Sequence, residues 1–272
     1  MTEVANEAQH RHWNDAVRVS AWRRREPMTA AVTATLLERV ALERGERALD
    51  VGTGGGRSAV AAARQVGPDG EVIGADISEP LLALARQRAA GEGLANARFV
   101  VADAQTATLD ETSFDAAMSQ FGVMFFDECV TAFANIRAHT RPGGRLAFVC
   151  WQGLADNPWF TGALLQSFCP PAPPPAPGKN TIGPFTLADP EHTTGLLAAA
   201  GWSAVERYPY RQTAPVAPEV LLDDDAYLGY LGVPDDRLVE ARSVCEDHLA
   251  PLLRSDGRYD APLAFQVFTA RN

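Results

Sequence analysis

Three short runs in the first half of the chain put glycines and carboxylates where a nucleotide could be held. The first is Leu49-Asp50-Val51-Gly52-Thr53-Gly54-Gly55-Gly56-Arg57. Its glycines let a backbone turn sharply and approach a ligand closely, and Asp50 sets an acceptor beside the turn. Several nucleotide-binding folds carry such a turn, so alone it does not choose among them. The second run is Val72-Ile73-Gly74-Ala75-Asp76-Ile77. A carboxylate at the position of Asp76 can accept both hydroxyls of a ribose diol. The third run is Phe99-Val100-Val101-Ala102-Asp103-Ala104. Asp103 and a neighbouring backbone N–H can read the donor and acceptor edge of adenine, or the same aspartate can cap a following turn.

These residues need a scaffold that brings them to one edge, and the pattern around them supplies it. Strand-like runs cover Arg47–Val51, Glu71–Ala75, Arg98–Val101, Phe114–Ser119 and Arg145–Trp151, with helical segments over 57–66, 79–90 and 127–140 between them. Alternation of that kind predicts βαβ units and a parallel sheet. Right-handed crossovers then gather the strand C-termini on one edge, where ligands bind. Residues 1–45 read as helical, with Val32, Leu36, Leu37, Val40 and Ala41 at helical spacing and Gly45 as a stop. The fourth strand leads into an apolar loop, Phe121 to Phe126, and Arg141-Pro142-Gly143-Gly144 reads as a helix-to-strand turn. Residues 153–190 are rich in proline, which bars helix across 170–177. Asp189 predicts a helix cap, with Gly201 as the stop. A strand near Val205–Arg211, helical character over 218–254 and a last strand at Leu263–Ala270 complete the pattern.

Composition narrows the classes. The chain has 272 residues, 46% hydrophobic and 21% charged, which suits a folded domain and not a disordered one. Lys+Arg of 24 against Asp+Glu of 34 gives a net charge of −10, which argues against nucleic acid or an anionic membrane as partner. Lys179 is the lone lysine and lies far from the glycine turn, so neither Schiff-base chemistry nor a phosphate-loop lysine is expected. Cys129, Cys150, Cys169 and Cys245 form no CxxC pair and read as reduced thiols. His10-x-His12 lacks a third ligand of suitable spacing, so no metal site is expected. The start of the chain shows no apolar signal core, and no apolar run is long enough to span a bilayer. A soluble, cytoplasmic protein is the expectation.

With these runs in view, the chain resembles the class I S-adenosylmethionine-dependent methyltransferases, in the branch of the ubiquinone/menaquinone-biosynthesis C-methyltransferases and many small-molecule enzymes. The resemblance is carried by LDVGTGGG, GADIS, VVADAQ, FDAAMSQFGVMFF and RPGGRLAFVCW, in that order within 47–151. It implies an α/β fold: a Rossmann-like, seven-stranded, mostly parallel sheet with an antiparallel last strand, a helical N-terminal lid and cap insertions. One domain over 1–272 is expected, with a lid at 1–45, a cofactor core at 46–151, a Pro-rich insertion at 152–189 and a C-terminal part at 190–272 carrying a helical insertion at 218–254.

By the resemblance, Asp50, Gly52, Thr53, Gly54 and Gly56 hold the methionine part of S-adenosylmethionine. Asp76 holds the ribose with Ile77 beside the adenine, and Asp103 and Ala104 hold the adenine edge. Ser119 and Gln120 lie by the methionyl group and the acceptor. Relatives commonly carry cysteine or another small residue at Thr53 and often arginine at Gln120. Methyl transfer extinguishes the sulfonium charge, so alignment must supply most of the catalysis and a dry aromatic pocket is expected. Trp13, Trp22, Phe121, Phe125 and Trp151 are the substrate-binding candidates. His12 and His10, in the lid, are the candidates for a general base, which an acceptor that must lose a proton requires. The partner implied is a small-molecule acceptor, with a homodimer left open. Two rivals stand beside this reading. One is a nicotinamide-dependent oxidoreductase, disfavoured by Asp103, the RPGG run and the lack of a Tyr-x-x-x-Lys pair. The other is a catalytically silent cofactor-binding protein.

Overall fold

In a computed structural model, residues 6–109, 113–169 and 182–272 are described. The proline run at 170–177 and Lys179 lie outside them. Seven strands form one sheet: β1 (Arg47–Val51), β2 (Glu71–Asp76), β3 (Ala97–Val101), β4 (Phe114–Gln120), β5 (Thr140–Trp151), β6 (Ser203–Val216) and β7 (Tyr259–Arg271). Their order is β3-β2-β1-β4-β5-β7-β6. The first five run parallel, while β7 is antiparallel to both β5 and β6. The chain moves outward from β1 to β3, then crosses back to place β4 on the other side of β1. Such a reversal opens a crevice at the strand C-termini.

The helices are α1 (Glu7–Asn14), α2 (Ala16–Arg25), α3 (Val32–Val40), α4 (Arg57–Val66), α5 (Glu79–Gly91), α6 (Cys129–Ala138), α7 (Gly162–Leu165), α8 (Pro190–Ala199), α9 (Pro218–Leu221), α10 (Asp225–Tyr230) and α11 (Leu238–Leu249). Asp15 divides the N-terminal helical segment. Its extended backbone ends α1, and its carboxylate accepts the N–H groups of Val17 and Arg18 to start α2. Ser78, Asp189 and Asp224 cap α5, α8 and α10 in the same way. The expected lid at 1–45 is smaller than its sequence span. The apolar stripe Val32, Leu36 and Val40 is fully buried, and α3 packs on β4 and β5 as part of the core. Arg145 of β5 holds the Ala41 carbonyl just past the end of α3. Only α1, α2 and the turn after them remain to cover the sheet edge.

Two further expectations shift. Arg141-Pro142-Gly143-Gly144 lies inside β5, where pairing jumps from Phe114–Thr140 to Ala116–Arg145, so it is a bulged strand arm instead of a separate turn. Gly143 donates to the Asn272 carbonyl and Asn272 donates to that of Gly144, which ties this arm to the chain end. The strand read at Val205–Arg211 extends over Ser203–Val216 despite Pro209 and Pro215. It is the edge strand, where a missing N–H costs the sheet little.

Candidate active site

The C-terminal ends of β1, β2 and β4, with the residues after β3, form the floor of a cavity of about 310 Å³. After β1 the chain turns through the glycine run. The N–H groups of Gly52 and Thr53 both donate to the Ala75 carbonyl, at 2.8 and 3.1 Å, which fixes the turn against β2. The Gly54 N–H donates to Asp76 Oδ2 at 2.8 Å, while Asp76 Oδ1 accepts the Ser78 N–H at 2.9 Å. Asp76 is thus held by backbone donors on both oxygens, with acceptor capacity to spare, and it lines the cavity. Asp103 also lines the cavity. Its Oδ1 accepts the Gln105 N–H and caps the turn there, while its Oδ2 is buried with no hydrogen-bond partner. Burial pushes the carboxyl groups of Asp76 and Asp103 up from their ordinary range. The orphaned oxygen of Asp103 lacks a donor, and the exocyclic amine of an adenine is such a donor.

Gly52, Thr53, Gly54, Asp76, Ile77, Asp103, Ala104 and Gln120 line the cavity, whereas Asp50, Gly56 and Ser119 do not. Gly56 serves packing: a Cβ there would lie 2.7 Å from that of Ala85 on α5. The Ser119 hydroxyl accepts the Gly122 N–H from behind the wall. Asp50 is fully buried beneath the turn and accepts the hydroxyls of Thr53 and Ser58 at 2.7 and 2.6 Å. Its desolvation outweighs those bonds and pushes its pKa up to about 6. A carboxyl raised above its unfolded value penalises the folded state at high pH, and the penalty fades as pH falls through about 6. Asp50→Asn should therefore gain stability relative to wild type at pH 8. That gain should shrink by roughly 1–2 kcal/mol between pH 8 and pH 5. Thermal melts of both proteins across that range check it; a gain that grows on acidification would contradict the buried charge.

The roof comes from α1, α2 and the turn after α2. Trp22 lies over the glycine run, where a Cβ at Gly54 or Gly55 would come within 2.9 or 2.8 Å of its ring. Glu26 receives both Arg57 Nε and Nη2, at 2.5 and 2.6 Å, and also pairs with Arg88 at 3.1 Å. Gln120 accepts the Thr33 hydroxyl and donates to the Thr29 carbonyl. Asn14 donates to the Ile77 carbonyl, and the Ser78 hydroxyl donates to that of Trp13. The roof is thereby bonded to the ends of β2 and β4 and to the helix that follows β1.

Trp13, Trp22, Phe121, Phe125 and Trp151 all line the cavity, joined by Phe126, Trp159 and Phe160. Phe121 stacks on Trp151 at 4.1 Å between ring centres, and Trp13 meets Phe125 edge-on at 5.1 Å. Phe121 adopts a left-handed backbone, with φ of 61°. Bulky residues rarely tolerate that conformation, which recurs at functional sites.

The histidines do not reach this space. His10 is exposed, and His12 is off the cavity wall with its Nδ1 on the Tyr230 hydroxyl at 2.7 Å. Burial and the nearby Arg18 lower the His12 pKa to about 4, so it stays neutral at physiological pH. The general base expected at His12 or His10 is therefore not placed at the cavity. His139 is a helix-end residue, as its position before the RPGG run suggests: Nδ1 meets the Asn135 carbonyl and Nε2 accepts the Leu109 N–H.

Sequence reasoning missed the charged part of the roof. Arg18, Arg25, Glu26, Asp223 and Tyr227 all line the cavity. Arg25 pairs with Asp223, and Arg18 donates to the Tyr227 hydroxyl. One signal was available: Arg18, Trp22 and Arg25 fall at i, i+4 and i+7, one face of α2. Their partners, some two hundred positions later, leave no local trace.

Residues 48–144 match the family model described as a methyltransferase domain. Aklanonic acid methyltransferase DauC of Streptomyces sp. strain C5 is 39% identical over 104 residues, 38% of this chain and 47% of that protein. A demethylmenaquinone methyltransferase of Geobacillus kaustophilus is 34% identical over 109 residues, 40% of this chain and 47% of that one. The chain thus spans about half the length of the curated relatives it matches. Among solved structures, a putative methyltransferase from Bacillus halodurans superposes with a TM-score of 0.60 at 18% identity, covering 89% of this chain and 98% of that one. A phosphoethanolamine N-methyltransferase of Haemonchus contortus, in complex with S-adenosylmethionine, gives 0.59 at 18% identity, covering 100% and 60%. These likenesses share the fold. Residues 48–144 thus match a methyltransferase domain, and the fold around them is the one these solved structures share.

Proposed function

We propose that this protein transfers the methyl group of S-adenosylmethionine to a small, largely apolar acceptor. The observation that carries the proposal is a single roofed cavity, with the Asp76, Asp103 and Gly52–Gly54 rim at its floor and the aromatic residues around it. The donor set suits the cofactor. Asp76 retains lone pairs for a ribose diol, and the orphaned oxygen of Asp103 suits the amine of adenine. When bound, S-adenosylmethionine supplies a methyl carbon on a sulfonium, open to in-line displacement.

What the chain contributes is placement. Gly52 and Gly54 let the backbone come close, and the bonded roof covers the floor. The stacked Phe121–Trp151 pair gives a flat apolar wall against which an acceptor can lie. Alignment of this kind supplies on the order of 7–11 kcal/mol of barrier reduction in favourable cases. No histidine lines the cavity among the described residues, so the reading favours an acceptor that is already nucleophilic or acidic enough to ionise in water. The nicotinamide rival loses support to the methyltransferase family match.

Calorimetry with S-adenosylmethionine and S-adenosylhomocysteine tests the first half, with micromolar dissociation constants expected. Release of S-adenosylhomocysteine in the presence of phenols, hydroxyquinones and aromatic acids tests the second. Absence of binding up to millimolar cofactor would end the proposal. Tight binding with no turnover on any acceptor would favour the silent cofactor-binding rival.

A further inference from the structure

The roof of the cavity holds a cation without an anion. Arg18 lines the cavity, its guanidinium lies 4.3 Å from the centre of the Trp13 ring, and one of its terminal nitrogens donates to the Tyr227 hydroxyl. Its Nε is buried with no hydrogen-bond partner. The other charged roof residues that line the cavity are matched: Arg25 with Asp223, and Glu26 with Arg57 and Arg88. The groups that face Arg18 are Tyr227, Tyr230, Arg25 and His12. Asp15, which caps the same helix, spends its Oδ1 on the N–H groups of Val17 and Arg18. No carboxylate among the described residues forms an ion pair with the Arg18 guanidinium. Burial accordingly disfavours its charged form. A desolvated guanidinium is destabilising unless an anion completes it.

Building on the methyltransferase reading, we infer that Arg18 is the seat of an acidic group on the acceptor. The acceptor class is then an aromatic carboxylate. Its ring system would lie among the aromatic walls, and its anion would reach the guanidinium that Trp13 and Tyr227 hold in place. Arginine suits this task because its planar fork meets a carboxylate with two parallel bonds. Tyr227 belongs to α10 in the cap, and Trp13 belongs to α1 in the lid. An anion at Arg18 therefore touches a junction between two roof elements that the sequence separates widely.

The test is competitive calorimetry at pH 7.5 on protein saturated with S-adenosylhomocysteine, using 2-naphthoate and its neutral partner 2-naphthamide. Wild type should bind the acid at least 10-fold more tightly than the amide. Arg18→Gln should lose about 10- to 100-fold in naphthoate affinity and little in naphthamide affinity. Arg18→Lys should recover part of that loss. Equal wild-type affinity for acid and amide would overturn the inference, and that comparison needs no variant to fold. A second arm measures S-adenosylhomocysteine against 5′-methylthioadenosine, which lacks the amino-acid end. If Arg18→Gln weakens only the former, Arg18 holds the cofactor's own carboxylate and the acceptor assignment falls. Wild type that binds neither cofactor compound would instead bring down the underlying methyltransferase reading.

Discussion

Asp76→Ala should weaken S-adenosylhomocysteine binding by at least roughly 100-fold. Two hydroxyl donors on one ionised acceptor are each worth about 1.5–3 kcal/mol, and losing both multiplies their effects. The side chain also fixes the floor: Gly54 and Ser78 donate to its two oxygens, so its removal loosens the glycine turn that a ligand would touch. Removal costs the fold less than it costs the ligand. Asp76 carries a burial penalty that raises its pKa, and alanine relieves that penalty while it leaves two amides unpaired. Asp103→Ala provides the scale. One of its oxygens already serves the Gln105 N–H, so a single ligand bond is at stake and a loss nearer 10-fold is expected. Titration calorimetry on the three proteins, with melting temperatures alongside, checks the order wild type, Asp103→Ala, Asp76→Ala. Equal affinity in wild type and Asp76→Ala would mean that the cofactor does not use this edge.

That floor was legible in the sequence because the physics behind it is local. A strand with Asp50 next to its end, another ending in Asp76 and a third followed by Asp103 announce themselves by short apolar runs broken by glycine or a carboxylate. Parallel topology then brings all three to one edge. Side-chain direction was not legible. Asp50 and Ser119 occupy the right strands but turn into the protein, toward the hydroxyls of Thr53 and Ser58 and the Gly122 amide. The roof was read in outline only. Asp15 is the residue that divides it, yet the helix pattern on either side suggested continuity. His12 looked available in the lid, but it is committed to Tyr230 from a helix that folds back more than two hundred positions later. Arg18 and Asp223 escaped notice for the same reason: a pairing between distant segments leaves no periodicity to read.

Gly52→Ala should damage both the fold and the site, and the size of the effect depends on a contact between two backbones. Gly52 has φ of +65°, and a Cβ there would sit 2.7 Å from the Gly122 Cα and 3.4 Å from the Gly122 carbonyl carbon. A Cβ on Gly122 would in turn meet the Val51 carbonyl oxygen at 2.7 Å and the Gly52 Cα at 2.8 Å. These glycines let the ends of β1 and β4 touch at the reversal of strand order, where the crevice opens. No flexible side chain can yield there, because both neighbours are main chain. A methyl group must push Gly122 away, and Phe121 moves with it, strained as it is and stacked on Trp151. Left-handed strain and overpacking each cost about 1–3 kcal/mol, so a loss of about 2–4 kcal/mol is expected. That corresponds to a fall of roughly 5–12 °C in melting temperature for a chain of this size. Gly93→Ala isolates the first contribution, since Gly93 has φ of +67° and open space where its Cβ would go. It should cost about 1 kcal/mol and leave cofactor affinity unchanged, whereas Gly52→Ala should reduce that affinity at least 10-fold. If the two variants melted together and bound S-adenosylhomocysteine alike, the close approach of β1 and β4 would not be what shapes the cavity floor.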